Sequence, residues 1–102
     1  MIQLDGAQAR VSGSMTIAAA SELLVAGREA IAASAGGAAT GGVAQTFDLS
    51  AVTEVDSAGL AVMFAWLREA KSRNVELTFC NLPKSLNSLA AVYDVAALLP
   101  QN

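Results

Sequence analysis

The chain predicts an α/β fold, a mixed β-sheet with helices packed mainly on one face, in the order β-β-α-β-α-β-α. Three observations carry this. Short segments alternate apolar and polar residues at the two-residue period of half-buried strands, as in Phe47 and Leu49 against Thr46 and Asp48. Other segments repeat apolar residues at helical spacing, as in Leu60, Met63, Phe64 and Leu67. None of the strand segments is a near-continuous apolar run, which helices on both sheet faces would require.

In chain order, Ile2 and Leu4 alternate with Gln3 and Asp5, and Ala9 and Val11 with Arg10 and Ser12. This predicts strands at about 2–5 and 8–12, joined by a hairpin turn near Asp5-Gly6. Gly13-Ser14 then punctuates, and Thr16 is placed to cap a helix. Its inward stripe is predicted as Ile17, Ala20, Leu23, Leu24, Gly27, Ala30 and Ile31, with Ser21, Glu22, Arg28 and Glu29 outward. Gly27 costs about 1 kcal/mol against Ala inside a helix, so its expected use is close approach of helix to sheet. Ser34 to Ala44 is Gly- and Ala-rich without periodicity and reads as a surface loop. It lacks the Gly-Lys-Ser/Thr end of a nucleotide-binding loop.

Phe47 to Leu67 reads as strand, tight loop and helix, with Asp56 and Ser57 at the helix start, where unpaired N–H groups favour a capping Asp or Ser, or an anion. The helix is predicted over Ser57 to about Ser72, ending in Arg68, Lys71 and Arg73, with Asn74 as its stop. Val75, Leu77 and Phe79 alternate with Glu76, Thr78 and Cys80 as a fourth strand. Pro83 suits the first turn of a last helix whose stripe is Leu86, Leu89, Ala90 and Tyr93. Val95 to Pro100 is expected to add a short strand or a last turn.

Length and composition set bounds. The 102 residues form one domain, 1–102, and hydrophobic content is 54% with only 5% aromatic residues. Alanine makes up about a fifth of the chain, so the core must be closely packed small side chains. The longest apolar run, Ala58 to Leu67, contains Gly59 and falls well short of the roughly 20 residues that span a bilayer. No apolar segment follows a basic N-terminus, so no signal peptide is expected and the predicted location is cytoplasmic. A net charge of −3 with six Lys and Arg gives no basic stripe for nucleic acid.

Catalysis lacks a visible base, because the chain has no histidine and no Ser in a Gly-x-Ser-x-Gly turn. Cys80 is the single cysteine, which excludes an intrachain disulfide and a cysteine-rich zinc site. It reads as a small apolar residue ending a strand. Asp48 and Asp56 could form an acid/base pair or a magnesium site, but each more simply accepts backbone N–H bonds. No metal or cofactor is expected. A small α/β enzyme would instead need a deep polar pocket holding a perturbed titrating group.

The pattern Asp48-Leu49-Ser50, then Val55-Asp56-Ser57-Ala58-Gly59-Leu60 opening an apolar helix, resembles the signature of the STAS domain. That domain is shared by bacterial anti-sigma-factor antagonists and by transporter subunits or tails. A second match, Asn81-Leu82-Pro83 followed by Ser85 to Tyr93, is similar to the branch serving the bacterial Mla-type phospholipid-transport ABC complex. The resemblance implies the same one-faced mixed sheet. It also implies a non-enzymatic protein that binds and regulates the ATPase subunit of that transporter, reaching the membrane only through the complex. The alternative is an anti-sigma-factor antagonist, partnered by an anti-sigma kinase that phosphorylates Ser57. In the lipid-transport branch the matching hydroxyl position lies at the contact with the ATPase. The predicted partner-binding or regulatory residues are therefore Asp56, Ser57, Ala58 and Gly59.

Val62 and Trp66 join that set on physical grounds. If Leu60, Met63, Phe64 and Leu67 face the sheet, then Val62, Ala65 and Trp66 lie toward the flanks or outside. Exposure there forfeits about 1.5 to 3 kcal/mol per large side chain, which a docked protein would recover. The competing reading is that neighbouring helices cover them. One departure from the family pattern stands out: Asp94 follows Tyr93 where members often have Gly, the residue a left-handed helix end favours.

Overall fold

A computed structural model describes residues 2–5, 8–35 and 43–101. Strands β1 (Ile2–Asp5), β2 (Gln8–Met15), β3 (Val43–Val55) and β4 (Val75–Cys80) alternate with helices α1 (Ala20–Ala35), α2 (Ser57–Ser72) and α3 (Lys84–Val92) in the expected order. A short 3-10 turn, Ala96–Leu98, follows. The sheet order is β1-β2-β3-β4, with β1 antiparallel to β2 and the other two pairings parallel. Parallel neighbours need crossovers, which α1 and α2 supply.

Strand register separates a dry face from a wet one. Ala9, Phe47 and Phe79 stand in one row across three strands and are fully buried, and Val11, Leu49 and Leu77 extend the same core. Gln3, Arg10, Asp48 and Cys80 form a polar row across all four strands. Beside it the Thr46 and Thr78 hydroxyls meet at 3.2 Å. The dry face carries α1 and α2, and α3 packs on α2. Trp66 sits at the centre of this core, edge-on to Phe47 at 5.1 Å between ring centroids, and Phe47 is edge-on to Phe79 at 6.2 Å.

Several expectations need correction. Trp66 is fully buried and Val62 is 5% exposed, so neither lies on the outside of α2. The reason is α1, which covers that flank: the Trp66 indole N–H donates to the Leu23 carbonyl at 3.1 Å, and the ring occupies the space a Cβ on Gly27 would need. Gly27 therefore serves a helix-to-helix approach, not the helix-to-sheet approach expected. Phe64 and Leu67 are only half-buried. Ile17 is 79% exposed and precedes α1, whose first turn begins at Ala20. Tyr93, expected to point inward, is 54% exposed because α3 ends at Val92.

Strand limits also move. β2 continues through Gly13, which takes φ of 86°, to Met15. α1 runs through Ala35 and β3 begins at Val43, so the expected loop is shorter, and residues 36–42 lie outside those described. The turn expected near Asp5-Gly6 likewise reaches outside the described residues. Pro83 stands just before α3 as its N-cap. The tail forms the expected last turn as the 3-10 turn Ala96–Leu98 and no further strand, only an isolated parallel bridge between Phe79 and Gln101, with the Phe79 N–H donating to the Pro100 carbonyl at 2.8 Å.

Candidate functional site

β3 is long because it absorbs irregularity. Its pairing with β2 shifts register twice, between Arg10 and Ser12 and between Gly13 and Ser14, so β3 carries two extra residues over that span. Such bulges bend and twist a strand, and here they hide the simple alternation beyond Leu49. The strand ends at Val55, opposite Met15, and a single residue, Asp56, connects it to α2.

Asp56 holds that junction with every polar group it has. Its Oδ1 accepts from the Ala58 N–H at 2.8 Å and the Gly59 N–H at 3.4 Å, capping the helix. Its Oδ2 accepts from the Ile17 N–H at 3.1 Å, and its own N–H donates to the Met15 carbonyl at 3.2 Å. The Ile17 amide is thus taken by a carboxylate, and Thr16 to Ala19 form a turn before α1 begins at Ala20. Gly59 is buried one turn on, where a Cβ would strike the Met15 carbonyl oxygen. Ser57, first residue of α2, is exposed and Ala58 half-buried.

Ser57 opens onto a shallow groove of about 460 Å³ between the start of α2 and one face of α3. Val55 and Asp56 form one wall with Ser57, and Ser85, Ser88, Leu89, Val92 and Tyr93 form the other. Sequence reasoning missed this second wall. Its signal was present: Ser85, Ser88, Leu89 and Val92 recur at helical spacing, a second stripe beside the Leu86 and Ala90 stripe that packs inward.

The other carboxylate is elsewhere. Asp48 lies eight residues before Asp56, roughly 25 Å along an extended strand, so the two do not form one site. On the wet sheet face Asp48 Oδ1 accepts from the Ser50 N–H at 2.9 Å and Asn81 Nδ2 at 3.1 Å. The Ser50 bond first and the Asn81 bond second hold its carboxyl below the ordinary value of 3.8. Cys80, beside it in the row, is shifted the other way, with burial and then the Asp48 charge pushing its thiol up. A thiol so shifted stays protonated and is a poor nucleophile. Among the described residues no group of His, Cys, Asp and Glu side chains is arranged to hold a metal ion. No helix among them is long and apolar enough to cross a membrane.

A pH dependence follows from Asp48. A depressed folded value means its contribution to stability is complete above the unfolded carboxylate range and is lost as pH falls through the folded value. Unfolding free energy is expected to fall on acidification below about pH 4, and Asp48→Asn to flatten that fall while lowering stability at neutral pH. Urea titrations of both proteins at neutral pH and near pH 3 check this; parallel losses on acidification would remove Asp48 as the cause.

Comparison with known proteins bears on this geometry. A family model described as "Mlab, STAS domain" matches residues 2–100. No curated protein matches the chain. Fourteen chains of solved structures do. One of them, the anti-sigma factor antagonist SpoIIAA in its unphosphorylated form, superposes with a TM-score of 0.69 at 13% identity, covering 100% of this chain and 86% of that one. At that identity the likeness speaks for the fold.

Proposed function

The chain belongs to the STAS domain family, and from that premise we propose that it is a non-enzymatic subunit docking on the cytoplasmic ATPase of a phospholipid-transport ABC complex, where it regulates the enzyme. The observation that carries this reading is the exposed Ser57 at a rigidly held helix start, facing a shallow groove. Asp56 spends both carboxylate oxygens on backbone N–H groups, so its role is to hold Ser57 and Ala58 in place for a partner. The family description and the Asn81 to Tyr93 motif favour the transporter as the source of that partner. In this reading the chain binds no cofactor and meets the inner face of the membrane only through the complex.

A second reading, an anti-sigma-factor antagonist switched by phosphorylation of Ser57, is supported by the exposed Ser57 hydroxyl at the first turn of α2, in a fold shared with SpoIIAA. Phosphate would add about −1.5 to −2 charge beside the Asp56 carboxylate, enough to disturb a docked surface.

Co-purification with the tagged ATPase subunit tests the first reading, and incubation with an anti-sigma kinase followed by intact mass tests the second. An ATPase that assembles and turns over equally well without this chain would sink the transporter role. Ser57→Asp then tests the residue. It is expected to change folding stability by no more than about 1 kcal/mol. Partner affinity should drop about tenfold or more, since the carboxylate must be desolvated with no assured counter-charge. Unchanged affinity would place Ser57 outside the interface.

A further inference from the structure

Among the described residues, the dry face of the sheet buries one polar side chain, that of Gln45. The residue is 1% exposed and pairs in register with the buried Leu77 of β4. Its Nε2 donates to the Ala30 carbonyl at 3.4 Å, a long bond to an oxygen inside α1 that the helix's own ladder already engages. Its Oε1 is buried with no hydrogen-bond partner among the described residues. A buried amide so placed favours any conformation in which water reaches both its polar atoms.

That conflict bears on one half of α1. The first half is anchored: the Trp66 indole donates to the Leu23 carbonyl at 3.1 Å, and its ring fills the space over Gly27. Beyond Gly27 the helix is held by the buried Ala30 and Ile31 and by the ion pair of Arg28 with Glu69 at 3.4 Å. The Arg28 side chain is 52% exposed, and an ion pair in that setting adds little. Ala30, the residue that carries this half onto the sheet, is the one whose carbonyl meets Gln45. The seam lies near the start of β3, at the opposite end of the strand from Ser57.

We propose that residues 28–33 of α1 open from the sheet as a local unit, ahead of global unfolding, and that the buried Gln45 amide sets how often they do so. Opening brings Ala30 and Ile31 into water, hydrates both polar atoms of the Gln45 amide and uncovers a cryptic apolar face that includes Leu77. The first half of α1 stays on Trp66. The device is independent of the docking reading above, whose surface lies at the other end of β3.

Native-state amide hydrogen exchange of the full chain, followed by NMR at several urea concentrations below the unfolding transition, tests it. Protection of Ala26 and Gly27 is compared with that of Ala30 and Ile31; all four are clear of the first and last turns of α1, so end fraying does not enter. Ala30 and Ile31 are expected to be at least about tenfold less protected, with little dependence on urea, because a local opening exposes little surface. Gln45→Met should raise the protection of those two amides at least about tenfold, close most of the gap to Ala26 and Gly27, and raise the urea midpoint. If Gln45→Met folds poorly, Gln45→Leu makes the same comparison, and the wild-type gap is read in either case. One common protection for all four amides with a steep urea dependence would mean that α1 leaves only on global unfolding, and would overturn the proposal. A gap that both apolar variants leave unchanged would overturn it too, since Gln45 would not be the cause. So would a lower urea midpoint in both variants, which would mean that the amide is satisfied in solution.

Discussion

Trp66→Ala is expected to destabilise the protein by about 4 kcal/mol, most of what a domain of this size has to lose. The indole is fully buried between α1 and the sheet, edge-on to Phe47, and its N–H bond to the Leu23 carbonyl ties the two helices together. Truncation leaves a cavity that neighbouring alanines are too short to fill. Trp66→Phe keeps a ring against Phe47 and loses the hydrogen bond, so it should cost only about 1 to 2 kcal/mol. Urea unfolding with an unchanged slope is the measurement. A loss below about 1.5 kcal/mol for the alanine variant would mean the ring does not anchor this core. Partner affinity of folded Trp66→Phe should be native, because the side chain does not reach the surface.

The misplacement of Trp66 in the sequence reading has a physical cause. A surface helix needs one apolar stripe, but α2 is covered by the sheet on one side and by α1 and α3 on others, so its buried arc widens to include Val62 and Trp66. Gly27 was the available clue: an unfavourable glycine inside one helix marks a bulky neighbour on another as readily as a close sheet. By contrast the limits of α2, the alternation of β4 and the helix stop at Asn74, whose φ is 60°, were legible because local chemistry and tertiary packing agree there. Ile17 was not, since its amide answers to a carboxylate 39 positions away. The Ser57 end was visible as a motif, while its second wall on α3 was not, because nothing local says that α3 lies beside the start of α2.

Gly59→Ala is expected to cost about 3 kcal/mol and, in the molecules that remain folded, to weaken partner binding as well. The added Cβ would meet the Met15 carbonyl oxygen, a backbone atom that cannot swing aside as a flexible side chain could. That same oxygen accepts from the Asp56 N–H, so moving it disturbs the junction from which Asp56 caps α2 and holds the Ile17 amide. The first turn of α2 must lift away from β2, carrying Ser57 with it. Gly27→Ala is the control, since its Cβ would collide with Trp66 and destabilise by a comparable amount, about 3 kcal/mol, in the α1–α2 seam and not at the junction. Measured below the melting transition of both variants, affinity for the co-purifying partner should fall for Gly59→Ala and hold for Gly27→Ala. Equal affinities would mean that the partner does not read the position of this turn, and that the close packing of Gly59 on Met15 serves stability alone.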